Sequence, residues 1–184
     1  MQSTASTGTI YGGSSSATTQ HHRVVIVGGG FGGLNAARVL AGAGCAVTLI
    51  DRANHTLFQP LLYQVATAAL SATTVAVPIR SVFRHASNVT VLMAELEAID
   101  RLERLVVLKG HAPVGYDTLV LATGSVYSWF GHDDWPARAP ALKTAADALG
   151  FRSRLLSAFE HAETEDDPET VSYTHLTLPT KRIV

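Results

Sequence analysis

The chain has 184 residues, long enough for one ordinary domain with its own core. Apolar residues make up 47% and charged residues 16%, and the formal net charge is -1. That balance fits a globular α/β protein and excludes a basic nucleic-acid-binding surface. Cys45 is the single cysteine, which excludes an internal disulfide and a paired-cysteine metal or redox site.

Residues 1–22 are rich in Ser, Thr, Gly and Ala without hydrophobic period, and are expected to form a disordered tail. His21 and His22, adjacent in that tail, are not expected to hold a metal. Arg23-Val-Val-Ile-Val27 then reads as a buried parallel strand. It breaks into Gly28-x-Gly30-x-x-Gly33, with Phe31 and Gly32 inside the motif, the spacing of a dinucleotide-binding turn. Gly28 allows the tight turn, Gly30 lets backbone approach a pyrophosphate, and Gly33 lets the next helix pack close to the strand. Leu34, Ala37, Leu40 and Ala41 recur at helical spacing, and Gly44 takes the place of a C-cap glycine. A second strand, Ala46–Ile50, ends on Asp51, whose carboxylate can accept from both hydroxyls of a ribose. Cys45 reads as a small apolar residue where helix joins strand.

After Asp51 an irregular loop leads to Pro60, and residues 61–70 are expected to be helical. His55, Gln59 and Tyr63 read equally well as loop packing or as ligand contacts. A short helix is expected to start near Pro78, followed by a third strand over Asn88–Met93. Glu95–Asp100 and Arg104–Leu108 read as an antiparallel meander with a solvated charged face. Thr118–Ala122 is another buried strand, ending in Thr123-Gly124-Ser125. The aromatic loop Trp129–Pro136 places His132 beside Asp133 and Asp134, which reads as a turn rather than a metal or acid–base site. Leu142, Ala145, Leu149, Leu156, Phe159 and Ala162 mark an amphipathic helix running to about Glu163. No apolar run is long enough to span a bilayer, and no targeting signal is expected.

Val24–Leu34, Asn54-His55, Leu57-Phe-Gln-Pro-Leu-Leu-Tyr-Gln-Val-Ala66, Tyr116–Gly124 and Leu142-Lys-Thr144 with the helix over Arg152–Glu163 together resemble type II NADH dehydrogenase. These are non-pumping NADH:quinone oxidoreductases among the flavoproteins with two dinucleotide domains. The glycine turn and Ala122-Thr123-Gly124 are common to the wider group, whereas the stretch Phe58–Ala66 is specific to the subfamily. The resemblance implies a Rossmann-like FAD-binding domain over residues 23–165, a parallel sheet plus a small antiparallel meander. Gly28, Gly30, Phe31, Gly32 and Gly33 would hold the FAD pyrophosphate, and Asp51 the adenosine ribose. Arg52 would flank the adenosine, and the backbone near Leu96 would meet the adenine edge. Ala122, Thr123 and Gly124 would turn the chain beside the flavin, with Pro60 and Leu61 lining the isoalloxazine. It further implies hydride transfer from NADH to flavin and electron release to a quinone, with no catalytic side chain required. Peripheral attachment to the inner face of the cytoplasmic membrane is implied too. Thioredoxin-reductase and sulfide:quinone reductase types are disfavoured, because both work through cysteines.

The family pattern continues with an NADH-binding βαβ unit, a returning Gly-Asp segment and a membrane-associating region, which are not found in these residues. Residues 166–170 read as a linker. Residues 171–184 resemble translated sequencing-adapter DNA, so the chain is expected to be truncated before the NADH-binding domain and to be inactive as written. Two alternatives stand beside this: a nucleotide-binding module without turnover, and a dehydrogenase whose first unit binds NAD directly.

Overall fold

The computed structural model describes residues 21–132 and 134–164. In chain order the elements begin β1 (His22–Val27), α1 (Phe31–Leu40), β2 (Cys45–Asp51) and β3 (His55–Leu57). A 3-10 turn over Gln59–Leu61 leads into α2 (Leu62–Ala66), α3 (Ala72–Val75), β4 (Ala76–Pro78) and α4 (Ile79–Val82). Then come β5 (Val89–Met93), β6 (Leu96–Asp100), β7 (Leu105–Leu108), β8 (Val114–Gly115) and β9 (Thr118–Leu121). Finally α5 (Trp135–Arg138) and α6 (Ala145–Thr164) close the described chain.

The branched run of β1 places it at the centre of a four-stranded sheet of order β5-β2-β1-β9. Every pairing in that sheet is parallel, as a βαβ pattern with strands buried on both faces requires. Period-two alternation then sends successive β1 side chains to opposite cores. Val24 and Ile26 join Leu34, Ala37, Val47, Leu49, Ile79 and Phe83 under α1 and α4. Val25 and Val27 join Ile50, Ala94, Val106, Leu108 and Tyr116 under the antiparallel sheet of β6, β7 and β8. The sheet is thus the middle of three layers. Ile26, Leu49 and Ile50 are fully buried, each contributing about 2 to 3 kcal/mol of transfer free energy. A smaller core of Leu62, Val65, Ala66, Val75 and Ala148 joins α2 and α3 to the start of α6.

The expected strands all form, with bounds within a residue or two, and the parallel sheet with its antiparallel meander is the α/β architecture expected. Three local expectations need correction. First, β1 starts at His22, inside the stretch expected to be disordered; the His22 imidazole sits 2.8 Å from Thr118 Oγ1. Residues 1–20 and 165–184 lie outside the described residues, and with them the tail, linker and adapter-like assignments. Second, the left-handed glycine after α1 is Gly42 (φ 80°), not Gly44, because the helix already ends at Leu40. Asn88 fixes this corner: its Nδ2 donates to the carbonyls of Leu40, Cys45 and Ala43, and its Oδ1 accepts from Gly42 N–H.

Third, the helix expected over 61–70 stops at Ala66, where the Thr67 hydroxyl bonds back to the Tyr63 carbonyl and Ala68 turns left-handed (φ 64°). The loop before it also holds β3, which pairs antiparallel with β4. The amphipathic helix forms as α6 and runs to Thr164; its start packs Ala148 against α2 and α3, while Leu149, Leu156 and Phe159 are exposed. The outer edge of β9 is unpaired among the described residues. The helix after Pro78 does form, with Pro78 as its N-cap.

Candidate functional site

The carboxyl ends of β1, β2 and β9 finish at one level, at the edge where parallel α/β sheets bind ligands. Backbone bonds lock them there: Gly28 N–H donates to Ile50 O at 2.7 Å, and Ala122 N–H to Val27 O at 2.8 Å. Between these ends the chain turns through its glycines into α1. Gly28 has φ 108°, a conformation closed to ordinary side chains, and a Cβ there would lie 2.2 Å from the Ala122 carbonyl oxygen. A Cβ on Gly33 would lie 1.7 Å from Gly28 O, so the closeness of helix to turn depends on that hydrogen. Gly30 is different, since nothing lies within 4 Å of the position its Cβ would take. The space in front of Gly30 is open, as the approach of a pyrophosphate demands.

Gly30 is also the N-cap of α1 and makes no side-chain cap bond. The first intrahelical bond runs from Leu34 N–H to Gly30 O at 2.9 Å. The N–H groups ahead of it therefore point into the open space together with the positive end of the helix dipole, which favours an anion. Sequence reading gave no separate role to Gly29, yet it is buried, and a Cβ on it would come within 2.6 Å of Ile79 Cδ1. The run of three glycines was the available signal: the middle one is needed to seat the turn on α4.

Asp51 is the second wall. Its Oδ2 accepts from Gly29 N–H at 2.5 Å and its Oδ1 from Ala53 N–H at 2.7 Å. The carboxylate thus binds the glycine turn to the end of β2, a task that spacing alone did not show. Each oxygen keeps a second lone pair, so hydroxyl donors of a ribose can still be accepted. Arg52 is exposed beside it. Leu96 begins β6, half-buried on the core beneath β1, and Ala94 N–H ties that end of β5 to Asp51 O at 2.9 Å.

The rim is apolar and open. Phe31, the first residue of α1, meets Phe58 edge-to-face at 5.8 Å, and both rings stay about half exposed at 52% and 47%. Pro60 is exposed in the 3-10 turn, and Leu61 packs toward the small third core. Thr123 and Gly124 (φ 72°) are exposed after β9. Gln59 and Tyr63 flank this opening; Gln59 Nε2 donates to Lys143 O, and Tyr63 OH accepts from Gln64. The His55 Nδ1 lies 3.0 Å from Oδ1 of its neighbour Asn54. Contacts join the glycine turn to Asp51 and to Ala122, and join Phe31 to Phe58, two residues before Pro60; Arg52 follows Asp51, and Leu96 begins β6 shortly after β5.

His132 stacks on Trp135 at 4.2 Å and 4°. Among the described residues no cluster of His, Cys, Asp and Glu could hold a metal. The α6 start carries a reciprocal cap that the sequence reading missed, although Thr144-x-x-Asp147 is its pattern. Thr144 N–H donates to Asp147 Oδ2, and Asp147 N–H to Thr144 Oγ1. Burial pushes the Asp147 carboxyl up, but the N–H groups of Thr144 and Lys143 and the Thr144 hydroxyl outweigh it and hold it below the usual range.

Comparison with known proteins fits this geometry. Type II NADH:quinone oxidoreductase Ndh of Mycobacterium tuberculosis is 49% identical over 142 residues, covering 76% of this chain and 31% of that protein. The NdhA paralogue of the same organism is 46% identical over 140 residues, covering 74% and 30%. The chain thus spans about a third of the length of these curated relatives. Among solved structures, the sulfide:quinone oxidoreductase of Aquifex aeolicus matches with a TM-score of 0.67 at 25% identity, covering 76% of this chain and 32% of that one. NDH2 from Plasmodium falciparum matches with a TM-score of 0.72 over 82% of this chain and 32% of its own; at 22% identity that likeness is one of fold. The pyridine nucleotide-disulphide oxidoreductase family profile matches residues 22–172. With its glycine turn, acidic strand end and parallel sheet in place, the chain belongs to the pyridine nucleotide-disulphide oxidoreductase family.

Proposed function

We propose that residues 23–165 are the FAD-binding part of a type II NADH:quinone oxidoreductase. The observation that carries this is the contrast among the glycines. Gly28 and Gly33 are closed by the protein's own backbone, while Gly30 faces open space before an uncapped helix N-terminus. A diphosphate fits that cradle by charge and by hydrogen bonding. The choice of FAD over NAD rests on the 49% identity to the mycobacterial Ndh and on the exposed aromatic and apolar rim.

When bound, FAD supplies a two-electron acceptor for hydride, with NADH as donor and a quinone as the oxidant that restores it. The N–H groups at the start of α1 hold the pyrophosphate. Asp51 receives the ribose hydroxyls while keeping the glycine turn in place, and Arg52 and the Leu96 backbone border the adenosine. Phe31, Pro60 and Leu61 would line one side of the ring system, and Ala122, Thr123 and Gly124 the other, offering it exposed apolar surface to pack against. No side chain of the site needs to move a proton for hydride transfer. We assign the whole protein to peripheral attachment at the inner face of the cytoplasmic membrane, following its likeness to type II enzymes. No helix among the described residues is long and apolar enough to cross a membrane.

The deciding experiment is a titration of the full chain with FAD and separately with NAD, followed by flavin fluorescence quenching and by calorimetry. Saturable one-to-one FAD binding with much weaker NAD binding supports the reading. Preference for NAD, or no binding of either, refutes it.

A further inference from the structure

Lys143 stands where three separate segments of the rim meet. Its carbonyl accepts from Gln59 Nε2 at a long 3.4 Å, and Gln59 immediately precedes Pro60 and Leu61. Its ammonium donates to Ser125 Oγ at 3.0 Å, and Ser125 immediately follows Ala122-Thr123-Gly124. The same ammonium lies 5.8 Å from the centre of the Tyr127 ring, whose hydroxyl donates to the Leu142 carbonyl at 3.1 Å. Lys143 N–H is held by Asp147 Oδ2 at 3.0 Å, within the cap of α6. Among the described residues no carboxylate pairs with this ammonium.

The backbone bonds of Lys143 to Gln59 and Asp147 form with any side chain, so the start of α6 does not require a lysine. What the side chain adds is one tie across the opening, a charge-assisted hydrogen bond to Ser125 reinforced by the face of Tyr127. We propose that Lys143 is a positioning residue: its backbone end holds the Gln59–Leu61 side of the rim, its ammonium holds the Ala122–Ser125 side, and the two together set the width of the opening for a flat ring system. The proposal rests on the FAD reading above for the identity of that ring system. Ser125, accepting from the ammonium, also keeps its own O–H free as a donor at the rim.

The test uses the full chain as wild type, Lys143→Met, Lys143→Arg, Ser125→Ala and the double variant. Two readouts are taken: hydrogen exchange of peptides covering 58–66 and 122–130 without ligand, and FAD affinity with the visible circular dichroism of the bound flavin. Lys143→Met is expected to speed exchange in the 122–130 peptide, and to leave the 58–66 peptide, held through the Lys143 carbonyl, and the β1 peptide unchanged. FAD affinity should fall about tenfold, the worth of one charge-assisted bond. The flavin dichroism should change, Lys143→Arg should restore most of it, and Ser125→Ala should add nothing to Lys143→Met. Unchanged exchange in the 122–130 peptide overturns the tie itself. Faster exchange with wild-type affinity and dichroism overturns its bearing on the ligand. If the wild type binds no FAD, the cofactor reading fails and the proposal with it; the exchange data then show separately whether the tie exists.

Discussion

Two glycines three residues apart should respond to the same substitution in opposite ways. In Gly33→Ala the new methyl carbon would lie 1.7 Å from Gly28 O and 3.3 Å from Ile26 Cγ2, where contacts under 3.0 Å are essentially never seen. The first turn of α1 must lift by more than about 1 Å, loosening Leu34 and Ala37 from the core, at a cost near the top of the overpacking range, about 3 kcal/mol. For a domain of this size that corresponds to a fall of roughly 6 to 12 °C in Tm. In Gly30→Ala the methyl meets nothing within 4 Å, and φ is already -78°. Its Tm should hold or rise slightly, because alanine restricts the unfolded chain by about 0.4 to 1 kcal/mol. FAD affinity, in contrast, should fall at least tenfold, because the methyl occupies the space the pyrophosphate needs. Thermal unfolding by far-ultraviolet circular dichroism and a flavin quenching titration on both variants settle the matter. Equal loss of stability in the two variants, or intact FAD affinity in Gly30→Ala, would falsify the assignment of one glycine to the fold and the other to the ligand.

Asp51→Ala removes the acceptor of two backbone N–H groups as well as the proposed ribose contact. Both FAD affinity and stability should drop, the latter by about 2 kcal/mol; a change in affinity alone would show that the tie to Gly29 carries no stability. Asn88→Ala strips the corner between α1 and β2 of its bonds to Leu40, Cys45, Ala43 and Gly42. A loss of about 2 kcal/mol in urea unfolding is expected, and Asn88→Asp should not rescue it, since a carboxylate cannot donate. Hydrogen bonding to the Arg23 guanidinium holds the Asp117 carboxyl down at about 2, below its ordinary 3.8. A depressed carboxylate stabilises above its unfolded pKa, so its contribution is complete above about pH 4 and disappears as pH falls toward about 2. The Tm gap between wild type and Asp117→Asn should close over that interval; a gap independent of pH would assign the effect to packing.

The sequence made β1, the glycine turn and β2 legible because there local chemistry and tertiary role coincide. Branched residues favour strands, and the glycines stand where backbone approaches backbone. What it hid were features settled by distant partners. Nothing near Gly44 says that Asn88 will close the corner two residues earlier at Gly42. His55–Leu57 becomes a strand only because Ala76–Pro78 lies beside it. The second duty of Asp51 was equally hidden, since a spacing rule names a ligand acceptor and is silent on the Gly29 amide. The apolar stripe of α6 was read correctly as a stripe, but a stripe does not say what covers it.

The central place of β1 has a consequence for how the chain folds. Its partner β2 follows closely, but its other partner, β9, ends almost a hundred residues later at Leu121. Closing that long loop is an entropic expense that β1–β9 pairing must recover, which puts the slow step at the arrival of β9. The cradle inherits this order, because the Ala122 carbonyl that presses against Gly28 comes from the segment just after β9. During synthesis the glycine turn therefore emerges early yet stays unfinished until residues 118–124 have left the ribosome, so ligand capture can only be a late event.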